Sequence, residues 1–205
     1  IAVILFAVNV FITAKRSAKR SIERNFILAS VCWLLFTVAA GITLGVNLSD
    51  PFIPSSHLEL LKLHANIGIA GCFFQLIIGV GSRLIPMFMV SHNLNTKKLQ
   101  IAFYLINSGL ILGMFALWFQ WETGINIGIL AVVSGIAFFL SFLVEAYKKR
   151  VKKYLDVGMK QSVMSFFFLL IPLILVLAIA VDFVMARAIT VPMSIAYGSA
   201  LLLGF

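Results

Sequence analysis

Charge is scarce in this sequence, and acid is scarcer than base. Of 205 residues only 11% are charged; Asp and Glu together number 7 against 16 Lys and Arg. Ordinary soluble domains carry about 25% charged and about 45–50% apolar residues. Here the apolar share is 62% and the mean hydropathy is +1.10. That shortage excludes a soluble globular domain and a disordered tail. The net charge of +9 is not the footprint of a nucleic-acid module either. It lies in short runs between long apolar stretches, as the charge bias of membrane loops does, so no nucleic-acid partner is expected. The two cysteines, Cys32 and Cys72, fall inside apolar stretches and read as small fillers, with neither a disulfide framework nor metal-ligand spacing. There is no P-loop, HExxH, CxxC, Gly-rich dinucleotide turn or Ser/His/Asp constellation. No apolar stretch carries a carboxylate near its middle, which argues against an ion-coupled carrier or a proton pump.

What the sequence has instead is apolar runs. A helix rises 1.5 Å per residue, so about 20 mainly apolar residues cross a bilayer core. Segments 1–13, 26–46, 60–83, 100–119, 125–146, 162–182 and 188–205 qualify wholly or in part. The expected fold is all-α: a polytopic transmembrane helical bundle of about seven spans, the first and last incomplete, forming one domain over 1–205. Ile1 opens inside one apolar run and Phe205 closes inside another, so the chain reads as a fragment of a longer one. Continuous apolar runs, not alternating ones, set a β-barrel aside.

Base is distributed unevenly between the connections. Alternate connections carry Lys15, Arg16, Lys19, Arg20 and Arg24, then Arg83, Lys97 and Lys98, then Lys148, Lys149, Arg150, Lys152, Lys153 and Lys160; only Lys62 and Arg187 lie on the other side. Lys and Arg resist translocation, which assigns loops 14–25, 84–99 and 147–160 to the cytoplasm. Trp118 and Trp121 flank the outer end of the fourth span, at the level where amphipathic rings favour the interface. Segment 47–57 holds an Asp-Pro pair and a second proline, and reads as an ordered loop. Polar residues elsewhere in the spans are few: Asn107, Ser108, Ser134, Ser165, Ser194 and Tyr197, with Pro172 and Pro192, are candidates to line an interior.

The third span concentrates the remaining chemistry. All three histidines of the chain lie within 57–92. At 100° per residue His57, His64, Gly68, Gly71, Gln75, Gly79 and Ser82 share one stripe among Leu, Ile and Phe. Polar atoms are costly in lipid, so this stripe faces the bundle interior. Two readings follow. In the first, glycines let a neighbouring helix approach and Gln or His bonds across the gap. In the second, they make room for a flat macrocycle, and a neutral imidazole ligates haem iron. His64 would then be the metal ligand, with Gly68 and Gly71 beside it and His57 about 10 Å further out along the axis. Glu59 and Lys62, three apart, are taken as solvated side chains rather than an ion pair. Pro86 is expected to break or kink the helix. Arg83 could bind a lipid phosphate or a haem propionate and is read by preference as an anchor at the inner interface; His92 is read as a solvated loop residue.

The run LKLHANIGIAGCFFQLIIGVGSRLIPMF resembles bacterial membrane proteins related to subunit I of haem–copper oxidases and nitric oxide reductases; the resemblance covers residues 57–92. It implies a many-helix protein of the bacterial inner membrane, in which a His in the outer half of an early helix ligates a low-spin haem. The matching position is His64. Where the family-like pattern reads His-Ala-His, this chain has His64-Ala65-Asn66. The second haem ligand and a three-histidine copper site would lie on later helices, so a complete oxygen-reducing centre is not expected here. Two functions fit these features. One is a haem-binding, subunit I-like protein serving electron transfer or gas sensing, or a degenerate relative. The other is a cofactor-free structural or assembly subunit among other membrane subunits. A small-molecule transporter ranks third, for want of buried charge.

Overall fold

The computed structural model describes the chain apart from residues 18–19, 54–56, 153, 185–195 and 202–205, and the side chains of 58–59 and 181–184. The described residues are helical with no strand. Helix α1 spans Ala2–Arg16, α2 Ile22–Ser49 and α3 His57–Asn66. A π-helical stretch, Ile67–Phe74, leads into α4, Gln75–Met89. Then come α5 (Lys97–Trp118), α6 (Glu122–Lys148), α7 (Val157–Phe168) and α8 (Leu170–Val184). Five helical stretches are long and apolar enough to cross a membrane: Ile22–Ser49, Leu60–Met89, Lys97–Trp118, Glu122–Lys148 and Val157–Ala180. These are the five inner spans expected from the sequence. The first expected span is the 15-residue helix α1. The last lies mostly outside the described residues, as do Arg187, Pro192 and Ser194.

Large apolar side chains cover the outside. Phe36, Leu48, Phe73, Tyr104, Phe115 and Ile174 are all exposed. Water would not tolerate that much apolar surface on a soluble protein, whereas acyl chains do. The chain is a multi-pass membrane protein.

Helix ends follow local chemistry. Ser21 caps α2, its Oγ accepting from the Arg24 amide at 3.4 Å. The helix outruns the expected boundary at 46 and continues to Ser49, because only Asp50, preceding Pro51, is steered out of helical geometry. The buried Asn47 then holds the loop, its Oδ1 accepting from the amides of Phe52 and Ile53 at 2.9 and 2.8 Å. Pro86 does not break its helix, which runs on to Met89. Val90 ends it in the left-handed region at φ 53°. Pro172 has no N–H to offer the carbonyl four residues back, and the expected sixth span divides at Leu169 into α7 and α8.

The helices group into two compact units, Ile1–Leu84 and Ile85–Phe205. In the first, α2 runs antiparallel to the α3–π–α4 rod, with α1 beside α2. In the second, α5 and α6 form a tight hairpin. Gly109 of α5 approaches the Gly128 carbonyl so closely that an added methyl would sit 2.7 Å from its oxygen. At Gly135 an added methyl would meet the Ala102 carbonyl at 3.1 Å. Lipid tails are as apolar as Leu, so helices in a bilayer associate through such close backbone approach. Phe139 of α6 meets Phe166 of α7 edge to face, centroids 5.7 Å apart.

Candidate functional site

The stripe on the third span packs against one neighbour, α2, along most of its length. A step toward the C-terminus on the rod matches a step toward the N-terminus on α2. His64 meets Gly41, Gly68 meets Thr37, Gly71 meets Trp33, and Gly79 meets Ile27 and Phe26. The contacts are close. A methyl added at Gly68 would lie 3.1 Å from Thr37 Cγ2, and one at Gly71 would lie 2.9 Å from the Trp33 indole. At Gly79 it would lie 3.1 Å from the Glu23 carbonyl oxygen. The facing side of α2 is smooth because its hydroxyls turn back on their own helix. Thr37 Oγ1 donates to the Trp33 carbonyl and Ser30 Oγ to that of Ile27, both at 2.7 Å.

The π stretch lies at the centre of this contact. Its i→i+5 bonding widens the turn and turns Ile67, Gly71 and Phe74 into the packed face. Gln75, Ile78, Gly79 and Ser82 continue that face in α4, all buried. The inward stripe read from the sequence is therefore the packed face from Gly68 to Ser82. His57, at the first turn of α3, is exposed and does not join it. Asn66, which stands where the family-like pattern has its second His, is also exposed. Its Nδ2 donates to the Lys62 carbonyl at 2.9 Å. The Glu59 side chain lies outside the described residues.

His64 has two distinguishing features. Its Cε1 would lie 3.0 Å from a methyl on Gly41, so the imidazole rests against the α2 backbone. Its Nδ1 is buried without a hydrogen-bond partner among the described residues, a state that buried polar atoms rarely keep. Against a haem, the residues divide. The imidazole has a nitrogen to spare, but Thr37 and Trp33 fill the space beside Gly68 and Gly71 that a macrocycle on the stripe would need. Among the described residues no group of three or more His, Cys, Asp or Glu stands together as a metal site. Cys32 and Cys72 are both free thiols.

The second unit holds a polar cluster that sequence reasoning missed. Glu145, near the end of α6, accepts from Lys98 and Lys149, each at 2.8 Å, and from the Asn95 amide at 3.2 Å. Lys149 also donates to the Asn93 carbonyl at 2.6 Å, and Ser91 Oγ to the Ala146 carbonyl at 2.7 Å. The Val151 amide bonds Val90 at 3.4 Å, beside an isolated bridge between Ser91 and Arg150. Arg150 stacks over the Tyr147 ring at 3.9 Å. The only signal in the sequence was the Glu145–Lys149 spacing of four, which brings two side chains together on a helix. The cluster joins the connection before α5 to the one after α6, so these two basic loops lie on the same side. Trp118 and Trp121 are exposed at the other end of the hairpin.

Asn107 and Ser108, expected as interior-lining groups, bond the carbonyls of Phe103 and Leu105 on their own helix, at 2.8 and 3.3 Å. Ser134 is exposed. Comparison with family models, with curated proteins and with solved structures returns no match for this chain.

Proposed function

We propose that this chain is a structural or assembly subunit of a larger complex in the bacterial inner membrane, with loops 14–25, 84–99 and 147–160 on the cytoplasmic side. One observation carries the reading: the glycine stripe that sets the third span apart is filled by Trp33, Thr37 and Ile27 of α2. Small residues then serve close helix packing, as they do at helix interfaces in membranes, and no chemistry is asked of them. The test is purification in a mild detergent, followed by native electrophoresis and identification of co-purifying membrane proteins. Stoichiometric membrane-protein partners that stay with the chain through purification are the expected result. A chain that runs alone as a monomer in every detergent tried overturns it.

A second reading has its own observation. The Nδ1 of His64, without a partner among the described residues, favours a haem-carrying relative of oxidase subunit I, in which His64 would hold the haem and Gly68 and Gly71 would be kept for packing. A haem bound there would supply one-electron chemistry or gas binding. The absorption spectrum decides: a Soret band lost in His64→Ala supports this reading, and its absence after expression with added haem precursor removes it.

A further inference from the structure

The first unit contains a cleft of about 490 Å³ that neither functional reading uses. It is bounded by the second half of α1, the first turns of α2 and the Gly79–Leu84 end of the rod. Its lining is two-sided in chemistry. Arg24, Arg83 and the hydroxyls of Ser17 and Ser21 contribute polar groups, while Val10, Ile27 and Val80 contribute apolar wall. Arg24 lies in the first turn of the first long apolar helix, Ile22–Ser49, and Arg83 in the last two turns of the next, Leu60–Met89. Basic residues at the ends of apolar spans are the ones that meet headgroups, and apolar residues further along the spans are the ones that meet acyl chains.

Two further facts point to an anion. Arg24 Nε is buried without a hydrogen-bond partner among the described residues, and a buried guanidinium N–H without an acceptor is costly. The one carboxylate in the lining, Glu23, pairs with neither arginine; among the described residues the ion pairs all belong to Glu145. The positive end of the α2 dipole adds to the same field. Two unneutralised guanidinium groups match a phosphate, which arginine binds with its planar fork of donors.

We propose that this cleft binds one anionic phospholipid, with the headgroup phosphate on Arg24 and Arg83 and an acyl chain against Val10 and Val80. The juxtaposition of a half-buried arginine whose Nε has no partner among the described residues, a second, exposed arginine and an apolar wall at the ends of two apolar spans is what selects a lipid over a soluble anion.

The experiment uses the full chain in nanodiscs and detergent. Native mass spectrometry and thermal unfolding are recorded with phosphatidylglycerol, with phosphatidylcholine, and with inorganic phosphate alone. One phosphatidylglycerol per chain should survive detergent exchange and raise the unfolding temperature, with phosphatidylcholine and phosphate doing neither. Arg24→Gln and Arg83→Gln should each weaken retention by about tenfold or more, as loss of a charged hydrogen bond does. Arg16→Gln, exposed and outside the cleft, should leave retention unchanged. If Arg24→Gln fails to fold, the exposed Arg83 reads the same contact. Equal retention of both lipids, equal stabilisation by phosphate, or an equal loss in Arg16→Gln would each overturn the proposal.

Discussion

Gly71 lies flat against the indole of Trp33: a methyl group placed on its Cα would come within 2.9 Å of two ring atoms. Of the glycines between α2 and the third span it leaves the least room for a methyl, and it makes the helix pair sensitive to volume. Overpacking a closely fitted interface costs about 1–3 kcal/mol. Gly71→Leu should therefore lower the unfolding temperature in detergent, whereas Gly45→Ala, with nothing within 4 Å of an added methyl, should hold or raise it. Fluorescence-detected melting of the two variants side by side checks the contrast.

A second contrast lies on α5. Gly109 faces the Gly128 carbonyl, with 2.7 Å available for an added methyl, while an added methyl on Gly113 meets nothing within 4 Å. Backbone cannot swing aside as the end of a side chain can. Gly109→Ala should destabilise the hairpin and Gly113→Ala should not, although both remove the same conformational freedom from the unfolded chain. Similar melting temperatures for the two would contradict the close crossing.

Glu145 ties two loops together, and Glu145→Gln removes its charge without changing its shape. The Lys98 and Lys149 ammonium groups then lose their counter-ion. Hydrogen exchange at Asn95 and tryptic cleavage after Lys149 should both accelerate, with helix content unchanged. Replacing Lys62, which forms no ion pair among the described residues, should leave both rates as they are.

Sidedness is open to direct measurement. In a background lacking Cys32 and Cys72, His92→Cys and Lys152→Cys should react with an impermeant maleimide from one face of sealed vesicles, and Gln120→Cys from the other. The loop-to-loop bonds between 89–98 and 145–152 require the first two to agree. If they react from opposite faces, the arrangement of the α5–α6 hairpin is wrong.

The sequence made the spans legible because apolar length is a one-dimensional property. The inward stripe from Gly68 to Ser82 was legible for a similar reason: small and polar residues recur along a single helix. Its partner was not. The matching face of α2 carries Trp33, Thr37 and Ile27, ordinary residues for a span, and only their contact with glycines across the gap marks them. The Glu145 cluster was hidden because its members are about fifty positions apart in the chain, and pattern reading along one helix sees neighbours three or four apart. The π stretch was also invisible, since a repeat at a constant 100° per residue carries no sign of a widened turn. Arg24 is one of five basic residues in its loop, and the burial of its Nε beside a cleft belongs to three dimensions.

That widened turn has a consequence for how the third span tolerates change. A π turn holds one residue more than the α turn it replaces, so the stretch from Ile67 to Phe74 carries spare chain between two gripped ends. Shortening it by one position would let the backbone relax to ordinary α geometry while leaving the contacts of His64 and of Gly79 close to where they are. The same deletion made within α5, which has no such slack, would rotate every later side chain by roughly 100° and strip Gly109 or Ile106 from its partner. Length variation in this span should therefore be absorbed at its centre, between the imidazole and the arginine.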